Sequence, residues 1–174
     1  GGLSLGGYVA LALYRQAPSL FQALILADTR AEADSADARA NRTRLIDVVR
    51  TRGAAAVADE MLPKLLGAIT SATRPDIVER VRALVLGNQS SAIEGALTAM
   101  MARPDSTSLL PSITVPTLVL VGDEDVLTPP ALSTAMAALV PSAELVVVPQ
   151  AGHLSNLEQP DAFNAALLRF LERL

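Results

Sequence analysis

Three residues that together can perform nucleophilic catalysis occur in this sequence: Ser4, Asp125 and His153. A serine hydroxyl is a weak nucleophile until an imidazole accepts its proton, and the imidazole needs a carboxylate to fix its tautomer. His153 is the only histidine in the chain, so it is the one candidate for the base. Together these residue types predict nucleophilic catalysis by the serine.

The serine lies in the pattern Gly2-Leu3-Ser4-Leu5-Gly6, which is typical of a nucleophile elbow. In such an elbow, a strained turn projects the serine oxygen clear of the backbone. Glycines two residues before and two residues after the serine let the neighbouring backbone approach closely. The apolar residues that follow predict a helix beginning at the turn, which places backbone N–H groups near Ser4 at a helix N-terminus. The pattern alone also fits an ordinary turn before a core helix.

Two later strand-like runs are each followed by a polar loop. Residues 116–122 precede the loop that contains Asp125, and residues 144–148 precede the loop that contains His153. Because parallel strands place their carboxyl ends at one edge of a sheet, we expect both side chains to meet Ser4 at that edge. The chain order serine, aspartate, histidine is one of the orders in which such a set of residues is known to occur.

Other interpretations of the same residues remain open from the sequence. Asp28 ends an earlier apolar run and ranks second as the acid, while Asp123 ranks third. Asp125 also fits a turn or a cap before the helix that is predicted from Pro129. His153 also fits a structural histidine that is hydrogen-bonded to the backbone of a tight loop.

The pattern of apolar residues predicts an α/β protein in the order helix, strand, helical insert, strand, helix, strand, helix. The first helix is expected over residues 5–16, and residues 23–27 predict a strand buried on both faces. Strand signals then disappear, and helical segments are expected at 32–52, 54–66, 76–86 and 90–102, with later helices at 129–139 and 160–174.

This order predicts two structural units. Residues 1–30 and 105–174 are expected to form a core with a three-stranded parallel sheet and flanking helices. Residues 31–104 are expected to form a helical cap over the strand ends. Within the cap, the methionines 61, 100 and 101 are expected in core packing, and the arginines 39, 42, 44, 50 and 52 on a solvated helix face. An arginine turned inward would suit a substrate carboxylate.

The composition limits the classes of partner. Hydrophobic residues make up 51% and charged residues 18% of the chain, which is enough apolar material for a packed core. The net charge of −4 argues against binding to nucleic acid or to an anionic membrane surface. The absence of cysteine fits a reducing compartment, so we expect a cytoplasmic location. No metal or organic cofactor is expected, and no apolar run is long enough to predict a membrane span.

Three segments carry a resemblance to a known family: Gly2-Leu3-Ser4-Leu5-Gly6-Gly7, residues 115–125 (VPTLVLVGDED) and residues 151–160 (AGHLSNLEQP). They resemble the C-terminal two-thirds of a lidded α/β-hydrolase, most specifically the group of 3-oxoadipate enol-lactonases and related carboxylesterases. The resemblance implies that Ser4 is the nucleophile, Asp125 the acid and His153 the base. It also implies that the N–H of Leu5 stabilises the oxyanion, and that the substrate is a small ester, lactone or thioester.

Members of that family have several strands before the elbow and a loop with a second oxyanion-hole donor, and neither precedes Ser4 here. We therefore expect a fragment with impaired activity, because loss of one oxyanion donor costs about 10² to 10³ in rate. The strand at residues 23–27 is expected to have an unpaired edge, which favours a homo-oligomer. The alternative function is a non-catalytic fragment that self-associates through this edge. A third option is acyl transfer or perhydrolysis at the same site.

Overall fold

The computed structural model describes residues 1–174 as a four-stranded parallel sheet with eight α-helices. The elements in chain order are β1 (Gly2–Leu3), α1 (Leu5–Gln16), β2 (Leu24–Ala27), α2 (Ala36–Leu65), α3 (Ala68–Thr73), α4 (Pro75–Leu86), α5 (Ser90–Ala102), β3 (Thr117–Gly122), α6 (Pro130–Leu139), β4 (Ala143–Val148), α7 (Ser155–Glu158) and α8 (Pro160–Leu171). Short 3₁₀ segments lie at Pro18–Leu20 and Thr107–Ser112.

The strands lie in the order β1-β2-β3-β4, and helices pack on both faces of the sheet. Successive side chains of a strand point to opposite faces. Leu26 and Val119 therefore pack in one cluster with residues of α1 and α6. Leu118 and Leu120 pack on the other face against Phe170 of α8. All residues of β3 are buried, so the core lies on both sides of the central strands.

The predicted α/β class is confirmed, but the predicted number of strands is wrong. Residues Gly2 and Leu3 form a fourth strand, which pairs with Leu26 and Ala27 of β2. Two extended residues before a turn are too few to give a periodic signal, so the sequence did not reveal β1. The expectation that residues 23–27 have an unpaired edge is therefore wrong as well, because β2 lies between β1 and β3 and the outer edge belongs to β1.

Most predicted helices are confirmed, with differences at the irregular positions. The two helices expected on either side of Gly53 are assigned as the single segment α2, with a break in helical geometry at Gly53, where φ is 76°. Helices α3 and α7 contain six and four residues, too short for an amphipathic pattern to be recognised. Helix α8 ends at Leu171, three residues earlier than expected.

The helices between β2 and β3 pack mainly on one another. Leu45 of α2 contacts Leu97 of α5 in one buried cluster. Ile77 and Val81 of α4 pack with Leu66 at the end of α2 in another. The division into residues 1–30 and 105–174 as core and 31–104 as cap stays a prediction. None of the helices combines the length and hydropathy that a membrane crossing requires.

Candidate active site

Ser4 lies in the sharp turn between β1 and α1. Its backbone has φ 51° and ψ −114°, an unusual conformation for a residue other than glycine. Two contacts with the segment after β2 hold it there. The Ser4 N–H donates to the carbonyl oxygen of Ala27 at 2.9 Å, and the Thr29 hydroxyl donates to the carbonyl oxygen of Ser4 at 2.8 Å. Hydrogen bonds to both the N–H and the carbonyl group of Ser4 therefore hold its strained backbone conformation.

The expected steric role is confirmed for the glycine two residues before the serine and is wrong for the one two residues after it. A Cβ on Gly2 would lie 2.0 Å from the carbonyl carbon of Gly6, so close backbone packing requires glycine there. A Cβ on Gly6 would meet nothing within 4 Å, so the expected steric role of this glycine is wrong. Gly7 is the second constrained position, because a Cβ there would lie 2.5 Å from the hydroxyl of Thr29.

Ser4, His153 and Asp125 are brought together in one hydrogen-bonded chain. The Nε2 atom of His153 lies 2.8 Å from the Ser4 hydroxyl, and its Nδ1 atom lies 2.8 Å from Oδ2 of Asp125. Because a carboxylate can only accept, Nδ1 carries the hydrogen, and the lone pair of Nε2 is left to accept the serine proton. Both His153 and Asp125 are buried, which limits competition from water for these bonds.

The loop after β3 holds Asp125 as a carboxylate. Its Oδ1 accepts from the N–H groups of Leu127 at 2.8 Å and Thr128 at 2.9 Å. Its Oδ2 accepts from the Thr128 hydroxyl at 2.6 Å. Burial by itself raises the pKa of Asp125, but the hydrogen bonds from His153 and Thr128 and the electrostatic attraction of His153 outweigh it. The pKa of Asp125 therefore lies below its ordinary value, and the group stays charged.

The two rival carboxylates lie elsewhere. Asp28, at the end of β2, accepts from the Gly122 N–H at 2.9 Å and from the Ser155 hydroxyl at 2.5 Å. Desolvation raises the pKa of Asp28 to about 7, despite these bonds and the nearby imidazole of His153. Asp123 accepts from the N–H of Ala151 at 3.3 Å. Neither rival hydrogen-bonds to the imidazole, whereas Asp125 does.

Leu5 is the first residue of α1, directly after the serine. The N–H groups in the first turn of a helix have no acceptor within the helix, and they carry the positive end of its dipole. Leu5 also lines the cavity onto which Ser4 opens. Its N–H therefore belongs to the residue next to the serine, at the end of the helix where negative charge is favoured. An oxyanion-binding role for Leu5 stays a prediction.

A cavity of about 470 Å³ lies above the serine, between the carboxyl ends of the strands and the helical insert. Its floor includes Ser4, Leu5 and His153. Its walls are mainly apolar side chains of the insert and of the loop after β3: Leu45, Val57, Met61, Leu65, Leu97, Met100, Val126 and Leu127. Met61 and Met100 were expected in core packing alone, but they line this cavity as well as packing in the insert.

Apart from His153, the ionisable side chains that give the cavity its charge are all cationic. They are Arg30, Arg42 and Lys64, and no aspartate or glutamate is among the lining residues. The expectation that Arg42 lies on a solvated face is wrong, because its side chain is 18% exposed and pairs with the buried Asp34. Arg44, in contrast, is 49% exposed, as expected.

Sequence reasoning missed three polar residues that support the site. The Thr128 hydroxyl donates to the carboxylate of Asp125, although the sequence indicated Thr128 only as part of a helix start. Ser155 joins Asp28 to the histidine loop. Glu158 is buried and accepts from the N–H groups of Gly67 and Gly152, each at 2.8 Å. The spacing of Thr128 three residues after an aspartate is the one local signal available, since it fits an Asx-type turn. No cluster of three or more metal-ligating His, Cys, Asp or Glu side chains occurs.

Solved structures resemble this chain closely over its whole length. A thermophilic esterase from Thermogutta terrifontis, solved with malate bound, is 42% identical with a TM-score of 0.95, and the match covers 99% of this chain and 64% of that one. The enol-lactonase from Burkholderia xenovorans is 29% identical with a TM-score of 0.88, covering 98% and 64%.

Sequence comparison finds relatives of a similar kind. The 3-oxoadipate enol-lactonase 2 of Acinetobacter baylyi is 28% identical over 172 residues, which are 99% of this chain and 62% of that protein. The chain therefore spans less than two-thirds of the length of these relatives. Its residues 1–166 match the profile that describes the alpha/beta hydrolase family. We conclude that this chain belongs to the α/β-hydrolase family.

Proposed function

We propose that this chain carries the active site of a serine hydrolase that cleaves a small ester, lactone or thioester. The observation that carries the proposal is the continuous hydrogen-bonded chain from the Ser4 hydroxyl through His153 to Asp125, with 2.8 Å at each step. The serine opens onto a largely apolar cavity, which suits the hydrocarbon part of an acyl group. The esterase and enol-lactonase among its relatives agree with this class of reaction.

The geometry supports a two-step mechanism. The Ser4 oxygen attacks the carbonyl carbon while its proton passes to Nε2 of His153, and the oxyanion that forms faces the N–H of Leu5. When the carbonyl re-forms, the bond to the leaving oxygen or sulfur breaks, and His153 gives its proton to that atom. A water molecule then attacks the acyl-serine, and its proton passes through His153 back to Ser4 as the acid leaves. Asp125 stays ionised and stabilises the imidazolium at both stages.

The helical insert from α2 to α5 supplies most of the cavity wall, so we assign it the role of a cap. An apolar cap excludes water from the serine until the acyl-enzyme has formed. Its shape would also select the acyl chain, because Leu45 and Leu97 from separate helices approach the cavity side by side. This proposal includes the division of the chain into a core and a cap.

The charges around the cavity favour a substrate that carries its own carboxylate. Arg30, Arg42 and Lys64 line the cavity without an acidic residue among the lining groups. Arg30 and Arg42 share Asp34, whereas Lys64 takes part in no ion pair. The malate bound to the Thermogutta terrifontis esterase and the 3-oxoadipate named for the Acinetobacter baylyi relative agree with an acidic substrate. Lys64 is thus the cationic side chain that we expect to pair with the carboxylate of the substrate.

A fluorophosphonate probe tests the nucleophile directly, because it forms a stable bond to an activated serine. The probe should label the wild type, and neither Ser4→Ala nor His153→Ala should be labelled. Ser91→Ala is the matched control, because Ser91 is an exposed serine of the helical insert. A folded wild-type protein that the probe does not label would contradict the proposal.

The acidic substrate is tested by comparing p-nitrophenyl butyrate with the p-nitrophenyl half-ester of succinate. Lys64→Gln should raise KM for the half-ester only modestly, since a surface charge pair is worth at most about 1 kcal/mol. KM for the neutral ester, which has no carboxylate to pair with Lys64, should stay within about twofold of the wild-type value. Equal changes for both esters would indicate that Lys64 supports the cavity without recognising a carboxylate.

A second candidate function, self-association without catalysis, is favoured by one observation. Strand β1 is an edge strand of only two residues, paired on one side with β2. An open edge can pair with another chain. Ester turnover that disappears in Ser4→Ala would exclude this alternative as the sole function.

A further inference from the structure

Asp28 is a buried carboxyl group that the proposed mechanism does not use. It lies at the end of β2, its side chain is fully buried, and its backbone has φ 45°. Both of its oxygens are occupied: Oδ1 accepts from the N–H of Gly122 at 2.9 Å, and Oδ2 accepts from the hydroxyl of Ser155 at 2.5 Å. Asp28 does not line the cavity, so it is not placed to touch a substrate.

The two partners of Asp28 belong to the two loops that present the acid and the base. Gly122 is the last residue of β3, and its carbonyl oxygen accepts from the N–H of Asp125 at 3.2 Å. Ser155 follows His153 by two residues and begins α7. One carboxylate therefore links both loops beneath the chain of bonds from serine to acid. Residues 28 and 155 are separated by 127 positions, so this link is made by the fold and not by local sequence.

The neighbours of Asp28 hold the third member of the site. The carbonyl oxygen of Ala27 accepts from the N–H of Ser4 at 2.9 Å, and the hydroxyl of Thr29 donates to the carbonyl oxygen of Ser4 at 2.8 Å. Ala27 and Thr29 thus contact the turn that carries Ser4, while Asp28, between them, contacts the loops after β3 and β4. The left-handed backbone at Asp28 directs its side chain away from the direction that an extended strand would give.

A buried carboxyl group is costly to retain unless it is well bonded. Desolvation raises the pKa of Asp28 to about 7, with His153 lowering it and Asp125 raising it through their charges. An apolar residue at the end of β2 would avoid this cost but could not hold both loops. The burial and the two bonds together indicate a specific use for this group.

We propose that Asp28 is a positioning residue, which sets the distance between His153 and its two partners by joining the loops after β3 and β4. This role rests on the proposed serine chemistry, but its structural part can be measured separately. If Asp28 is removed, Ser155 loses its acceptor and the loop that carries His153 loses its connection to β2. The bond from Nδ1 of His153 to Asp125 should then lengthen or fluctuate.

The test uses the whole chain and the fact that His153 is its only histidine. The downfield proton resonance of the hydrogen-bonded Nδ1–H can therefore be assigned without ambiguity. We compare Asp28→Ala with Ser155→Ala, which removes only one hydroxyl and leaves the buried carboxyl group in place. Asp28→Asn is the conservative variant, because its amide oxygen can accept from Gly122 and its amide N–H can donate to the Ser155 oxygen. Asp47→Asn is the control, since Asp47 is an exposed residue of α2.

We expect Asp28→Ala and Ser155→Ala to shift or broaden the Nδ1–H resonance and to lower kcat about tenfold with KM nearly unchanged. Asp28→Asn should restore most of the signal and of kcat, and Asp47→Asn should match the wild type. If Asp28→Ala fails to fold, Ser155→Ala decides the outcome. A folded Ser155→Ala protein with wild-type resonance and kcat would overturn the inference. If the wild type turns over no ester, the proposed function fails, while the resonance still tests the link between the loops.

Discussion

The guanidinium Nε of Arg42 lies 2.5 Å from a carboxylate oxygen of Asp34, whose side chain is completely buried. The same carboxylate accepts from Arg30 at 3.1 Å and from Arg103 at 2.7 Å. Burial by itself raises the pKa of Asp34, but the hydrogen bonds from Arg42 and Arg103 lower it to about 2. One anion therefore holds together the two ends of the helical insert, residues 34 and 103.

Replacing Asp34 with asparagine should strongly destabilise the chain. Three partly or largely buried guanidinium groups would lose their common counter-charge, and removing one partner of a buried ion network costs about 3 to 5 kcal/mol. Urea unfolding followed by circular dichroism measures this loss. Asp59→Asn is the control, because Asp59 is exposed and pairs only with Arg82 at the surface. A similar, small effect of both variants would contradict the structural role of the buried network.

If Asp125 acts as proposed, Thr128 should contribute to the rate through its bond to that carboxylate. Its hydroxyl donates to Oδ2 of Asp125 at 2.6 Å and lies 3.3 Å from Nδ1 of His153. Thr128→Val keeps the shape of the side chain and removes this bond. Because a hydrogen bond to a charged group is worth about 1.5 to 3 kcal/mol, kcat should fall roughly tenfold to hundredfold. Thr134→Val, which affects only a bond within α6, should retain kcat. Equal kcat values for both variants would exclude a catalytic contribution from Thr128.

The buried carboxyl group of Asp28 should make stability depend on pH in an unusual direction. Its pKa is about 7 in the folded protein and about 3.9 in an unfolded chain, so the folded state binds more protons between these values. The free energy of unfolding should therefore fall as the pH rises from about 4 through about 7. Asp28→Asn does not titrate and should lack this component. Urea unfolding of both proteins at about pH 5 and about pH 8 tests the prediction, and parallel changes would refute it.

The edge of β1 should support association of the isolated 174-residue chain. Gly2 and Leu3 pair with β2 on one side only. Sedimentation velocity over a dilution series should show a monomer in exchange with a dimer, and amide exchange at Gly2 and Leu3 should slow as the concentration rises. A single monomeric species at every concentration would show that this edge does not recruit a second copy.

The sequence was sufficient for the elements with a clear apolar pattern and for the residues with a distinctive chemical type. Continuous apolar runs predicted β2, β3 and β4, and helical periodicity predicted α1, α4 and α5, within one or two residues. Ser4 was predicted as the nucleophile from its glycine pattern and His153 as the base from being the only histidine. These two roles stay predictions, although the two side chains are in hydrogen-bond contact. Asp125 was ranked above Asp28 and Asp123, and it is the one that contacts the imidazole.

What the sequence could not predict depends on contacts between distant segments. The bond between Asp28 and Ser155 joins positions 127 residues apart, and neither residue has a local pattern that indicates it. The burial of Arg42 depends on Asp34, which is eight positions earlier in a segment without regular structure. Propensity describes a residue and its neighbours along the chain, whereas these roles arise only after the sheet and the insert have packed.

Glu158 should couple the helical insert to the histidine loop. Its buried carboxylate accepts from the N–H of Gly67, between α2 and α3, and from the N–H of Gly152, next to His153. The two backbones are in direct contact, because a Cβ on Gly152 would lie 2.5 Å from the nitrogen of Gly67.

Glu158→Gln exchanges one accepting oxygen for an NH₂ group that faces a backbone N–H, so one buried donor loses its partner. The cost should be about 1 to 3 kcal/mol in urea unfolding. Amide exchange at Gly67 or Gly152 should also accelerate, because the N–H that loses its acceptor becomes free to open. Glu172→Gln, at the exposed end of α8, provides the control. If Glu158→Gln matched it in both measurements, the carboxylate would not hold the insert against the loop. Faster amide exchange together with a loss of stability would show that Glu158 connects the helical insert, through Gly67, to the loop that carries His153, through Gly152.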